Sequence, residues 1–142
     1  MPVFARPAEG EYHPYYQAYL DLVPGNVDDI LLHLKRQGLV MMNMMKGLDD
    51  ARAEYRYEPG KWSIKDLVGH LIDTERLFTF RALWIARGEP AEQPGMDENL
   101  WAANSNAHER SLVELWGEQH VCRTDHVYLF RSLSQADTEK SG

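Results

Sequence analysis

Three observations predict an all-α, bundle-like fold. Apolar residues recur at helical spacing over three long stretches, about 27–47, 63–87 and 107–132. No run of strict apolar/polar alternation rises above that periodicity anywhere in the chain. Proline-glycine breaks and polar capping residues fall where the three stretches begin and end. At 142 residues the chain suits a single domain able to bury a real core, and it has no internal repeat or low-complexity segment.

Prolines at positions 2, 7, 14 and 24 limit the first 25 residues to short helix. Tyr12, Tyr15, Tyr16 and Tyr19 have roughly helical spacing, which predicts a brief helix over about 13–22 serving as a strap held by aromatic packing. Pro24-Gly25-Asn26 then breaks the chain. Asn26 reads as an N-cap, with Asp28 and Asp29 favourably placed at the positive end of the first long helix. Val27, Ile30, Leu31, Leu34, Met41, Met45 and Leu48 form its apolar side. Met41, Met42, Met44 and Met45 suit either gap-filling core or the lining of an apolar pocket.

Asp49-Asp50 can cap a single turn, and Tyr55-Arg56-Tyr57 reads as extended before Pro59-Gly60. Ser63 with Asp66 three residues on predicts a capping box opening the second long helix, and Gly88-Glu89-Pro90 predicts its end. On a helical wheel Ile64, Leu67, Val68, Leu71, Phe78, Ala82 and Ile85 share one face, while Lys65, Gly69, Asp73, Arg76 and Arg87 point away. His70, Thr74, Leu77 and Arg81 form a row on one flank of the apolar arc, and Glu75 lies near its middle. A buried carboxylate or guanidinium must be paired or hydrated, so Glu75 and Arg81 are expected to form ion pairs or to line a wet cavity.

Residues 88–105 read as a long surface loop of the kind that borders sites, with one helical turn near Glu98–Ala103 anchored by Trp101. Asn106 with Glu109 predicts a capping box for the third long helix, whose inner face carries Leu112, Leu115, Trp116, Gln119, Cys122, Arg123, His126, Leu129, Phe130 and Leu133. His126 falls mid-arc and suits either a satisfied core histidine or a partner for a histidine on a facing helix; His120 falls at the edge. Ser134 with Asp137 starts a last short turn.

The net charge of −7, with basic residues scattered, argues against a nucleic-acid footprint. No apolar run is long enough to span a bilayer and the first ten residues lack a secretory h-region, so the cytoplasm is the default compartment. One cysteine, Cys122, excludes an intrachain disulfide or a thiol-cluster metal site, and its mid-helix position on the buried face suits an inert thiol. The sequence contains no His-x-x-x-His, His-Glu-x-x-His, Glu-x-x-His, nucleophile elbow or phosphate-binding glycine loop.

The string Tyr55-Arg56-Tyr57-Glu58-Pro59-Gly60-Lys61-Trp62-Ser63-Ile64-Lys65-Asp66, followed by His70-Leu71-Ile72-Asp73-Thr74-Glu75-Arg76, resembles the DinB-like family, the DinB/YfiT superfamily. Supporting similarity runs through Phe80–Gly88 and more loosely through Asn106–Leu112. The resemblance implies a four-helix bundle, commonly dimeric, that holds a divalent metal, zinc or nickel, by three histidines. His70 matches the first ligand position. The other two ligands belong to a His-x-x-x-His on a final helix, and this sequence has no counterpart for them, so metal binding by these 142 residues alone is expected to be weak or absent. The chain therefore reads as one DinB-like domain over 1–142 that lacks the C-terminal helix. The implied function is a metal-dependent enzyme of thiol-dependent transferase or hydrolase type acting on a small-molecule or thiol substrate. Thr74, Glu75, Arg81 and His126 are candidate pocket-lining residues. The alternative is a non-enzymatic dimerisation or partner-binding bundle, since three helices alone leave an apolar groove open.

Overall fold

The computed structural model describes residues 2–27 and 29–142, and every regular element among them is helical. A 3₁₀ turn at Pro14–Tyr16 leads into α1 (Gln17–Asp21), followed by α2 (Ile30–Met45), α3 (Asp50–Ala53), α4 (Ile64–Ala86) and α5 (Glu98–Asn104). A second 3₁₀ turn at Ala107–Glu109 precedes α6 (Leu112–Ser132) and α7 (Gln135–Thr138). The long helix α6 packs against both α2 and α4; α5, the 107–109 turn and α7 pack against α4. No helix among the described residues is long and apolar enough to cross a membrane.

Local chemistry sets the boundaries. Asp29 caps α2 by accepting a hydrogen bond from the Leu32 N–H at 2.9 Å. The helix thus begins at Ile30 and not at 27 under an Asn26 cap, because residues 24–27 close a turn in which the Val27 N–H donates to the Pro24 carbonyl. The expected contribution of Asp28 lies outside the described residues. Asp49 caps α3, as its sequence predicts. The Ser63–Asp66 box opens α4, and Gly88, at φ 76°, takes the left-handed conformation that ends it.

The third long helix starts later than predicted. Asn106 has φ 54° and caps nothing, so residues 107–109 form only a 3₁₀ turn; a second box, Ser111 with Glu114, opens α6 at Leu112. The Leu112 N–H also donates to Asp50 Oδ1 at 2.7 Å, fixing α6 to α3. Ser134 and Asp137 form the box that opens α7.

The core gathers Ala53, Val68, Ile72, Ala107, Leu112 and Leu115, with Met45, Leu48, Ile64 and Trp116 packed against it. Burying an aliphatic side chain as completely as Leu115 contributes about 1.5–3 kcal/mol. The wheel for α4 needs correction. Lys65 and Gly69, expected outward, are buried, whereas Leu67 and Phe78, expected inward, are 44% and 48% exposed. The reason is a second packing partner: α5 and the 107–109 turn press on the Gly69 side, so the buried arc rotates away from Leu67. Lys65 is satisfied there by Glu54 at 2.9 Å and Asp50 at 3.4 Å.

The N-terminal strap is also held differently. Tyr15, Tyr16 and Tyr19 stay exposed and pack mainly on one another, with ring centroids 5.2–6.4 Å apart. Its anchors are the Arg6 guanidinium, which donates to the Leu20 and Val23 carbonyls, the Val3 N–H, which donates to Gln135, and the edge-on contact of Phe4 with Phe130.

Candidate functional site

The start of α4 is fixed before its polar row begins. Ser63 Oγ accepts from the Asp66 N–H at 3.1 Å while Asp66 accepts from the Ser63 N–H at 2.9 Å, and Arg56 adds an ion pair to Asp66 at 2.7 Å. Burial alone would push the Asp66 carboxyl up, but the bonds from Ser63 and the Arg56 charge outweigh it and hold the group below the usual carboxylate range. Two turns later His70 is half-buried. The Trp62 ring packs against it at 4.7 Å between centroids, and the Thr74 hydroxyl lies 3.3 Å from Nε2 and 3.4 Å from Nδ1. One face of the imidazole is thus set by the residue before the cap and another by the next turn of its own helix.

A separate polar cluster occupies the bundle interior. Arg123 grips Glu75 with two bonds, Nε to Oε1 at 2.5 Å and Nη2 to Oε2 at 3.0 Å, and its Nη1 donates to the Leu34 carbonyl at 2.9 Å. Gln119 donates to Glu75 Oε2 at 3.2 Å, and His126 Nδ1 lies 3.5 Å from Glu75 Oε1. Glu75 is therefore paired, but with Arg123. Arg81, half-buried, donates instead to the Pro94 carbonyl at 2.6 Å and lies over the Phe78 ring. Leaving either member of such a bidentate pair alone would cost about 3–5 kcal/mol. The pair and the Leu34 carbonyl lock α2, α4 and α6 together.

Cys122 is buried and unbridged, with Sγ 3.7 Å from both nitrogens of His126. Equal distances mean the thiol meets the ring without aiming at either nitrogen. Burial, reinforced by the Glu75 charge, pushes the thiol pKa up, the opposite of what a nucleophile needs.

Of the four candidate pocket-lining residues, then, Thr74 touches His70, Glu75 and His126 join the interior cluster, and Arg81 tethers the loop after α4. His126 and His70 keep separate partners, and His120 is exposed. Asp73, expected to face solvent, is half-buried, and burial pushes its carboxyl up against the lowering effect of Arg76. A pocket of about 580 Å³ adjoins the His70 site; Tyr55, Tyr57, Lys61, Trp62, Leu67 and Asn99 are among its lining residues. Sequence reasoning missed it, although the paired tyrosines before Pro59-Gly60 and the long loop carrying Asn99 were the available signals.

The family resemblance implies a three-histidine metal site, and the donor chemistry here does not supply one. Among the described residues no three His, Cys, Asp or Glu side chains are grouped to hold a metal ion. Beside His70 stand an indole and a hydroxyl.

A family model for the DinB superfamily matches residues 33–140. A solved structure, YfiT from Bacillus subtilis, described as a probable metal-dependent hydrolase with an unusual four-helix bundle topology, aligns with a TM-score of 0.70. Identity is 16%, and the alignment covers 93% of this chain and 73% of that one, a likeness of fold. No curated protein matches the sequence. With the family model spanning more than half its length, the chain belongs to the DinB superfamily.

Proposed function

We propose that this chain is a cytoplasmic metal-dependent enzyme of the DinB kind, in which His70 is one ligand of a divalent metal, zinc or nickel. The reaction is proposed to be a thiol-dependent transfer or a hydrolysis on a small-molecule or thiol substrate. The observation that carries this reading is the setting of His70, half-buried between Trp62 and Thr74 at the position that matches the family's first ligand. Trp62 confines the imidazole on one face, and the Thr74 hydroxyl, nearly equidistant from the two ring nitrogens, leaves either of them able to take a metal. The description of YfiT as a probable metal-dependent hydrolase supports the same class. The described residues offer His70 without a second or third ligand beside it, so no catalytic step is routed through a metal.

The test is elemental analysis of purified protein after dialysis against zinc or nickel, alongside His70→Ala. With His70 alone at the site the wild type should retain little metal, and what it retains should fall by more than about tenfold in the variant, since even partners outside the ligand shell matter at that scale. Stoichiometric metal that survives the substitution overturns the assignment.

The second reading is a homodimerising bundle without catalysis. The exposed Leu67 and Phe78 on α4, together with Leu39, Val40 and Met44 on α2, favour it. Dimerisation and catalysis are compatible, and the association state is tested separately below.

A further inference from the structure

We propose that the pocket beside Trp62 binds a small carboxylate with a flat apolar tail, an aryl or short acyl carboxylate. The proposal rests on the metal-site reading only in calling this molecule the substrate; the binding site stands on its own geometry.

The pocket's volume of about 580 Å³ lies in the range of about 300–1,000 Å³ typical of small-molecule sites. Its walls are chiefly apolar: Tyr55 and Tyr57 from the extended segment, Trp62 from the turn before α4, and Leu67 from the first turns of that helix. Tyr55 is 65% exposed, Tyr57 71% and Leu67 44%. Three aromatic rings converging on one concavity favour a flat guest.

Two polar groups give that guest an orientation. Lys61 lines the pocket, and among the described residues no carboxylate lies within ion-pair distance of its ammonium. This is a chain of net charge −7, in which the neighbouring cations are already engaged: Arg56 with Asp66, and Lys65 with Glu54 and Asp50. Asn99 also lines the pocket, from α5, and among the described residues its side-chain amide makes no hydrogen bond. The Lys61 ammonium favours an anion over a cation, and the Asn99 amide N–H can join it as a second donor to a carboxylate. Trp62 is shared: it lines the pocket, and its ring packs against His70.

Isothermal titration of EDTA-treated protein with 4-phenylbutyrate and with its uncharged amide tests the site without any metal. One equivalent of the carboxylate should bind, about tenfold tighter than the amide, the effect of one charge-assisted hydrogen bond. Lys61→Gln should bring the carboxylate down to the level of the amide and leave amide binding unchanged. Leu67→Asp, at a half-exposed position with little bearing on folding, should abolish both, with thermal unfolding checked for each variant. Equal affinity for the two probes, indifference to Lys61→Gln, or no heat at millimolar probe overturns the proposal. Metal that survives His70→Ala while 4-phenylbutyrate still binds would end the metal reading and leave this site intact. Metal lost in His70→Ala with no carboxylate binding would do the reverse.

Discussion

Gly69 and Gly117 both sit inside long helices, where glycine costs about 1 kcal/mol relative to alanine. Their surroundings reverse the consequence of replacing them. A Cβ on Gly117 would meet nothing within 4 Å, so Gly117→Ala should raise the unfolding free energy by up to about 1 kcal/mol. A Cβ on Gly69 would stand 2.8 Å from the Ala107 Cβ, below any normal contact. Overpacking costs about 1–3 kcal/mol, so Gly69→Ala should end as a net loss of up to about 2 kcal/mol. Urea midpoints at constant slope check both, and adding Ala107→Gly to Gly69→Ala should recover most of the loss. The sequence could not place Gly69 because a wheel assumes one buried face, whereas the second face here is made by a turn nearly 40 positions later. The partner of Glu75 was hidden for the same reason. That a mid-arc carboxylate needs a cation is readable locally; that Arg123 on α6 supplies it, and not Arg81 on the same helix, depends on how the helices meet.

Capping at the scale of a helix shows where local grammar suffices and where it does not. The Ser63–Asp66 box was legible because its two partners are three residues apart and nothing competes with them. At the start of α6 the sequence holds two such pairs, Asn106 with Glu109 and Ser111 with Glu114, and the chain uses the second. Asn106 instead bends back after α5 in the left-handed conformation that asparagine tolerates, and this brings Ala107 against Gly69. The box on α4 also carries a pH dependence whose sign is fixed. The folded Asp66 carboxyl titrates below its unfolded range, so its contribution is present above the unfolded value near about 3.9 and is lost as pH falls through the folded value. Asp66→Asn should therefore cost about 1 kcal/mol at pH 7, a typical value for a helix cap. The gap between the two proteins should close as urea unfolding is repeated below about pH 4. A gap that stays constant across that range would assign the loss to packing.

Across the whole molecule, the all-helical bundle was legible because each long helix announces itself by a periodicity that survives in any tertiary setting. The candidate site was legible only as far as His70, whose position follows from the cap, while the pocket beside it is assembled from three separate segments. The same arrangement leaves α6 flanked by α2 and α4, with apolar side chains on both flanking helices uncovered. Leu67 and Phe78 fall within about 20° of arc on α4, three turns apart, with Leu71 and Thr74 half-buried between them, an interrupted apolar stripe. Exposed apolar groups of this kind are the signature of a protein interface, and in the proposed homodimer a second copy would cover the Phe78 end of the stripe, with Leu67 left to the pocket. Light scattering on the eluting peak should then give twice the chain's mass. Phe78→Asp, a charge placed on the stripe at a residue 48% exposed, should shift the peak to a single chain while leaving the helical circular dichroism unchanged. The dimer should also melt at a temperature that rises with protein concentration, a dependence the variant should lose. A wild-type protein that elutes as a soluble single chain at all concentrations would remove self-association as the reason the stripe is apolar.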